Sequence, residues 1–229
     1  MSTANNTTEK KTPDAATYVK GLEGIVAAQT ALSLVDGEAS TLSYRGVPIQ
    51  ELTENSNYEE VVYLLWHGKF PTAAEFKDFK KALASERQVD KKVLEFIQNF
   101  PQKAHPMAAL RTAVSSLGLF DSEADKIDQD SLKHKALLLT AKFPTLIAAF
   151  HRARLGEKIV APDVQLSHAA NFLYMMHGKA PNTEMEKALE AYLILLADHG
   201  LNASTFAARV TCSTQSDMYS AITSAIGTL

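Results

Sequence analysis

The sequence predicts an all-α protein, a multi-helical large domain preceded by a small N-terminal β-hairpin unit. Three observations carry this. Apolar residues recur at helical spacing through most of the chain, start and stop residues bracket those runs, and strand and tight-turn signals cluster before residue 53. With 229 residues, 46% of them apolar and 21% charged, the chain can bury a sizeable core.

In chain order, residues 1–17 are rich in Thr, Asn, Lys and Ala, lack the apolar run of a secretory signal, and read as a disordered tail. Residues 18–52 form a strand and hairpin segment. Asp36-Gly37 is a favoured hairpin dipeptide between apolar runs at 25–34 and 41–44, and Arg45-Gly46 and Pro48 mark the exit. Residues 53–229 are helical. Ser56 and Glu59 have capping-box spacing ahead of Val61, Val62, Leu64 and Leu65, and Gly68 suits a left-handed terminator. Thr72 and Glu75 repeat the device before Phe76, Phe79 and Leu83, as do Thr183 and Glu186 before Leu189, Tyr192 and Leu193. A run at Val93, Phe96, Ile97 and Phe100 stops at Pro101, and Pro106 and Gly118 frame a helix with Met107, Leu110, Val114 and Leu117 inward. The longest helical pattern covers 131–155 and contains Pro144, which predicts a kink or a break. A helix over 166–177 and two short ones after Asn202 bring the total to about nine.

Composition excludes several function classes. The 23 Lys and Arg against 26 Asp and Glu leave no basic field to draw nucleic acid. No run approaches the ~20 apolar residues of a bilayer crossing, so no membrane is expected as a partner. The lone Cys212 cannot build a disulfide framework and fits a reducing, cytoplasmic setting. Its apolar and small neighbours read as the surroundings of a buried, inert thiol. The seven histidines include no metal-ligand pair, and there is no phosphate-cradling glycine loop, dinucleotide fingerprint or nucleophile elbow. His67, His134, His151, His168 and His177 are expected at helix ends or faces without a chemical role.

His199 differs in context. It follows the apolar helix expected to end at Asp198 and precedes Gly200-Leu201-Asn202 and a small-residue helix beginning at Ala203. An imidazole donor, the Asn202 amide and the free N–H groups of the following helix would suit a small carboxylate or carbonyl ligand. Spacing alone favours a simpler account, with His199 complementing its own helix's dipole, Gly200 as terminator and Asn202 capping the next helix. Ala203, Ser204, Ala207 and Ala208 would permit close approach of another helix, as in a subunit interface or a crowded core.

A set of landmarks now falls in order: Gly21-Leu22-Glu23-Gly24, Asp36-Gly37-Glu38, Tyr44-Arg45-Gly46, Tyr63 to Gly68, Pro71-Thr72, His105-Pro106-Met107 with Leu110, Ala169 to Met175, and Asp198 to Thr205. From about residue 21 onward, the set resembles the opening of bacterial and archaeal citrate synthases. The resemblance implies a cytoplasmic enzyme, a homodimer or higher homo-oligomer, that condenses oxaloacetate with acetyl-coenzyme A, a co-substrate rather than a bound cofactor. The family uses an Asp to remove an acetyl proton, a His to stabilise the enol and a second His to polarise the oxaloacetate carbonyl. His199 and Asn202 are similar to its oxaloacetate-binding pair. The catalytic residues and most of the coenzyme A site are implied to come after Leu229, which would leave the large domain incomplete at its C-terminus and the chain inactive alone. 2-Methylcitrate synthase shares the same opening motifs and takes a propionyl group, and nothing before Leu229 reads the acyl pocket. A non-catalytic helical assembly module is the reading from another class.

Overall fold

The computed structural model describes Val26 and residues 28–229. The tail at 1–17, the landmark at 21–24 and the expected strand start at Ile25 lie outside the described residues. Three short strands, β1 (Ser33–Asp36), β2 (Thr41–Tyr44) and β3 (Val47–Pro48), form an antiparallel sheet in that order. Ser33 faces Tyr44 and Asp36 faces Thr41 across the first pair. The strand therefore begins later than the apolar run at 25–34. The connection takes four residues, 37–40, in which the Ala39 N–H donates to the Asp36 carboxylate at 2.9 Å.

Ten α-helices follow among the described residues: α1 (Ile49–Asn55), α2 (Tyr58–His67), α3 (Ala73–Ser85), α4 (Lys91–Gln98), α5 (Pro106–Leu117), α6 (Gln129–Arg154), α7 (His168–His177), α8 (Thr183–Leu195), α9 (Ala203–Ser213) and α10 (Met218–Ile226). The all-α class holds. The additional helix is α1, which starts inside the segment expected to be strand and turn, because Ile49 and Leu52 have a core to enter.

Capping explains most boundaries and corrects two. In α2 the N-cap is Asn57, not Ser56, and its box is closed by Glu60. Glu59 is instead buried and accepts the His168 backbone N–H at 2.9 Å. In α8 the cap is Asn182, one residue before Thr183, and Glu186 accepts the Ser167 hydroxyl at 2.6 Å. The Thr72–Glu75 box and the left-handed Gly68 fall where expected. The helix α6 runs unbroken through Pro144. Its flanks Ala141, Thr145 and Leu146 are all buried, and Thr145 donates to the Arg87 carbonyl at 2.9 Å, so tertiary contacts hold the helix despite one missing backbone donor.

Two apolar clusters divide the core. One joins α4, α5, α6 and α10 through Val93, Ile97, Val114, Leu139, Leu146 and Ile226. The other joins the hairpin to α1, α2 and α8 through Tyr44, Leu52, Val61, Leu64 and Ile194. The hairpin's exit carries a physical role at each residue. The Tyr44 hydroxyl reaches the carbonyls of Ile194 and Leu195 at 3.0 and 3.1 Å, at the end of α8. The Arg45 guanidinium donates to the Leu65 carbonyl at 2.6 and 3.1 Å, near the end of α2, and Gly46 supplies a left-handed turn with φ 84°. Helix ends leave carbonyls unpaired, so Tyr44 at Leu195 and Arg45 at Leu65 each meet an acceptor with no backbone partner among the described residues, while the Ile194 carbonyl also accepts the Ala197 N–H at 3.2 Å.

Candidate functional site

The candidate residues lie on the connection between α8 and α9. The helix α8 ends at Leu195, earlier than the expected Asp198, which leaves residues 196–202 as a loop. His199 is thereby removed from the helix end, and the account in which it complements the α8 dipole fails: the last turn of α8 finishes four residues before it. The His199 side chain is exposed and makes no hydrogen bond among the described residues.

Asn202 is the N-cap of α9, its side-chain oxygen accepting the Thr205 N–H at 2.8 Å. That bond fixes the amide orientation: with the oxygen committed to the helix, the NH₂ group is left as donor. The capping role expected for Asn202 and a ligand-donating role are therefore compatible. Gly200 is left-handed, φ 63°, and turns the loop between the two residues.

The backbone on either side of His199 is pinned. The Asp198 carboxylate accepts the Gly200 N–H at 3.0 Å and also the Ser33 hydroxyl from β1. The Asp198 N–H donates to the Tyr44 hydroxyl at 3.3 Å, and that hydroxyl lies 3.2 Å from the Asp198 carbonyl. Burial holds the Tyr44 phenol above its ordinary value, so it remains a donor throughout the physiological range. Neither Tyr44 nor Ser33 carries a local sequence signal for this task. Their contacts span 154 and 165 residues.

An open cleft of about 620 Å³ runs along α9 and is lined by Asn202, Ser204, Thr205, Ala208, Arg209 and Ala225, among others. The structure brings Asn202 to this cleft, whereas His199, three residues earlier on the loop, is not among the residues that line it. Arg209 adds a cation with no ion-pair partner among the described residues. Ala203 and Ser204 carry the first two amides of α9, which have no hydrogen-bond partner among the described residues. Amide dipole, guanidinium and carboxamide along the cleft would suit a small anionic ligand.

Other expectations change. Cys212 is exposed, not buried: it lies in the last turn of α9, a helix with no buried residue, and lines the open cleft. Part of the small-residue helix is used within the chain: Thr211 bonds Ser224 at 3.0 Å and Thr228 bonds Ser204 at 3.3 Å across the α9–α10 pair. His67, His151 and His177 occupy the last turns of their helices. His168 is buried at the start of α7, where desolvation, with the Arg87 charge second, pushes its imidazole down to about 3. No helix among the described residues is long and apolar enough to cross a membrane.

The fold is all-α, and the candidate residues sit on a loop at the junction of α8 and α9. The family model described as citrate synthase, C-terminal domain, matches residues 21–229. The chain belongs to the citrate synthase family. It is 49% identical over 214 residues to citrate synthase of Haloferax volcanii, covering 92% of this chain and 56% of that one. It is 44% identical over 210 residues to 2-methylcitrate synthase of Mycobacterium tuberculosis, covering 92% of this chain and 53% of that one. The structure of the ternary complex of citrate synthase from Thermoplasma acidophilum with carboxymethyl coenzyme A and oxaloacetate superposes with a TM-score of 0.86 at 26% identity, covering 92% of this chain and 56% of that one. The chain thus spans a little over half the length of these relatives.

Proposed function

We propose that the protein carrying this chain condenses oxaloacetate with acetyl-coenzyme A to give citrate and coenzyme A, as an acyltransferase of the citrate synthase type. One observation supports the reading above the others. On the loop at 198–202, His199 projects an unpaired imidazole and Asn202 keeps a free NH₂ group beside a helix N-terminus, and the two resemble the family's oxaloacetate-binding pair.

In this reading His199 is a substrate-binding residue that donates an N–H to the oxaloacetate carbonyl oxygen or to an adjacent carboxylate. Asn202 donates to a carboxylate oxygen of the same substrate, and the first amides of α9 with Arg209 add positive potential along the cleft. Acetyl-coenzyme A is a co-substrate, and no bound cofactor is proposed. The groups that deprotonate the acetyl carbon and stabilise its enol are assigned to the part of the relatives beyond the shared span, and the working form to a cytoplasmic homodimer.

The test is coenzyme A release by the natural full-length protein given oxaloacetate with acetyl- or propionyl-coenzyme A. Turnover with oxaloacetate and a preference for acetyl supports the reading, and a preference for propionyl moves it to the 2-methylcitrate reaction, for which the 44% identical relative is the observation. No turnover with either thioester overturns it in favour of an assembly role.

A further inference from the structure

The loop bearing His199 joins two observations that belong together. His199 itself is exposed and free of hydrogen bonds, whereas both neighbours in the chain are held. The holding groups come from the hairpin. Tyr44, the last residue of β2, is fully buried, and its single hydroxyl sits among the carbonyls of Ile194, Leu195 and Asp198 while accepting the Asp198 N–H. Ser33, directly across from Tyr44 in the β1–β2 pair, donates to the Asp198 carboxylate, whose same oxygen accepts the Gly200 N–H. One cross-strand pair therefore fixes the residues before and after His199, and through Leu195 it fixes the point at which α8 stops.

We infer that Tyr44, Ser33 and Asp198 form a clamp that positions His199, and that Tyr44 and Ser33 are positioning residues for oxaloacetate binding although neither touches the substrate. The inference rests on the reading of His199 given above. A donor on a free loop loses conformational freedom when it meets its ligand, and every backbone residue so fixed weakens binding. With the loop ordered in advance, that loss is already incurred in folding, and the imidazole retains only its own side-chain torsions. The hydroxyl of Tyr44 is the critical group, because the ring alone would fill the apolar cluster of Leu52, Val61 and Ile194 equally well.

The test uses the natural full-length protein and the variant Tyr44→Phe, which keeps the ring and removes only the hydroxyl. The KM for oxaloacetate is expected to rise roughly tenfold, the loss of about one ordered residue, with the KM for acetyl-coenzyme A unchanged. Amide hydrogen exchange is expected to accelerate in peptides covering 196–202 and not in those covering α5 and α6. Ser33→Ala is expected to move both readouts in the same direction to a smaller extent, and Ser33→Thr, which retains the hydroxyl, to restore them. On a His199→Ala background, Tyr44→Phe should add nothing further to the oxaloacetate KM, since the clamp acts through His199. A Tyr44→Phe protein with faster exchange at 196–202 but parental oxaloacetate KM overturns the clamp, as does an additional loss on the His199→Ala background. A His199→Ala protein with parental oxaloacetate KM overturns the underlying assignment of His199 instead.

Discussion

His199 and Asn202 can be separated from their structural surroundings by substitution. His199 is exposed and unbonded, so His199→Ala should shift the unfolding free energy by no more than about 0.5 kcal/mol, while oxaloacetate use falls roughly 10- to 100-fold. A variant with parental kinetics retires the assignment. Asn202→Ser keeps a good N-cap for α9 and removes the NH₂ donor. Its melting temperature should stay near the parent's while the oxaloacetate KM rises several-fold, about 1 kcal/mol of lost hydrogen bonding, and a drop in melting temperature without a KM change would assign Asn202 to capping alone. Both positions could be singled out as candidates in the sequence, because a His-Gly-x-Asn break between an apolar and a small-residue helix is a local pattern, although that spacing by itself favours capping. The groups holding them were not, since Tyr44 and Ser33 reach the loop from more than 150 residues away. A second residue, Glu190, reports on pH. Burial raises its carboxyl to about 7, with the neighbouring charges of Glu59 and Glu186 adding to the rise and the Tyr58 N–H opposing it. The folded state then holds the proton more tightly than the unfolded chain, so this group's contribution is full below about 4.5 and is lost as pH rises through 7. Glu190→Gln should gain stability over the parent across that window and hold a constant advantage above it, as urea midpoints at pH 5 and pH 8 will show. Equal differences at the two pH values would contradict the assigned burial.

Among the helices, the start of α2 shows what periodicity conveys and where it stops. Ser56 and Asn57 are both good caps, each with a glutamate three residues on, and local spacing does not choose between them. The choice is made at a distance, by the His168 N–H at the start of α7, which needs an acceptor and takes Glu59 from the rival box. Asn57→Ala should accordingly cost about 1 kcal/mol, and Ser56→Ala close to none, in chemical unfolding. The reverse order would restore the frame expected from sequence. The same limit accounts for Pro144 and for α1. Proline's local effect was read correctly as the loss of a donor, but the buried flanks that hold α6 together are a property of the packed molecule. The seven residues of α1 are too few for a periodic signal.

For the molecule as a whole, two buried cations fasten loops to the helical frame. Lys135 in α6 is 2% exposed and donates to the carbonyls of Glu123 and Lys126, both at 2.6 Å, closing the segment between α5 and α6. Arg87 is also 2% exposed and donates to the carbonyls of Asp163 and Leu166 at 2.6 and 2.9 Å, ahead of α7. Replacing Lys135 with Met fills the volume but strands two acceptors, a loss of about 1–3 kcal/mol, with proteolysis or hydrogen exchange increasing first at 118–128. Unchanged exchange there would show that the loop does not depend on the ammonium group.

The pairing of Tyr44 with the end of α8 also bears on the order in which the molecule assembles. That contact joins residues 150 to 154 positions apart, whereas the turns of α9 and α10 close over four. Closing so long a circuit is entropically slow compared with forming local helices or the hairpin itself, so the docking of the hairpin on the 196–202 loop is expected to follow the helices between them. During synthesis the Tyr44 hydroxyl waits without its acceptors until residue 198 has left the ribosome. The part of the chain that would meet oxaloacetate is therefore among the last to become native, and a nascent chain cannot present a finished loop before it has folded around it.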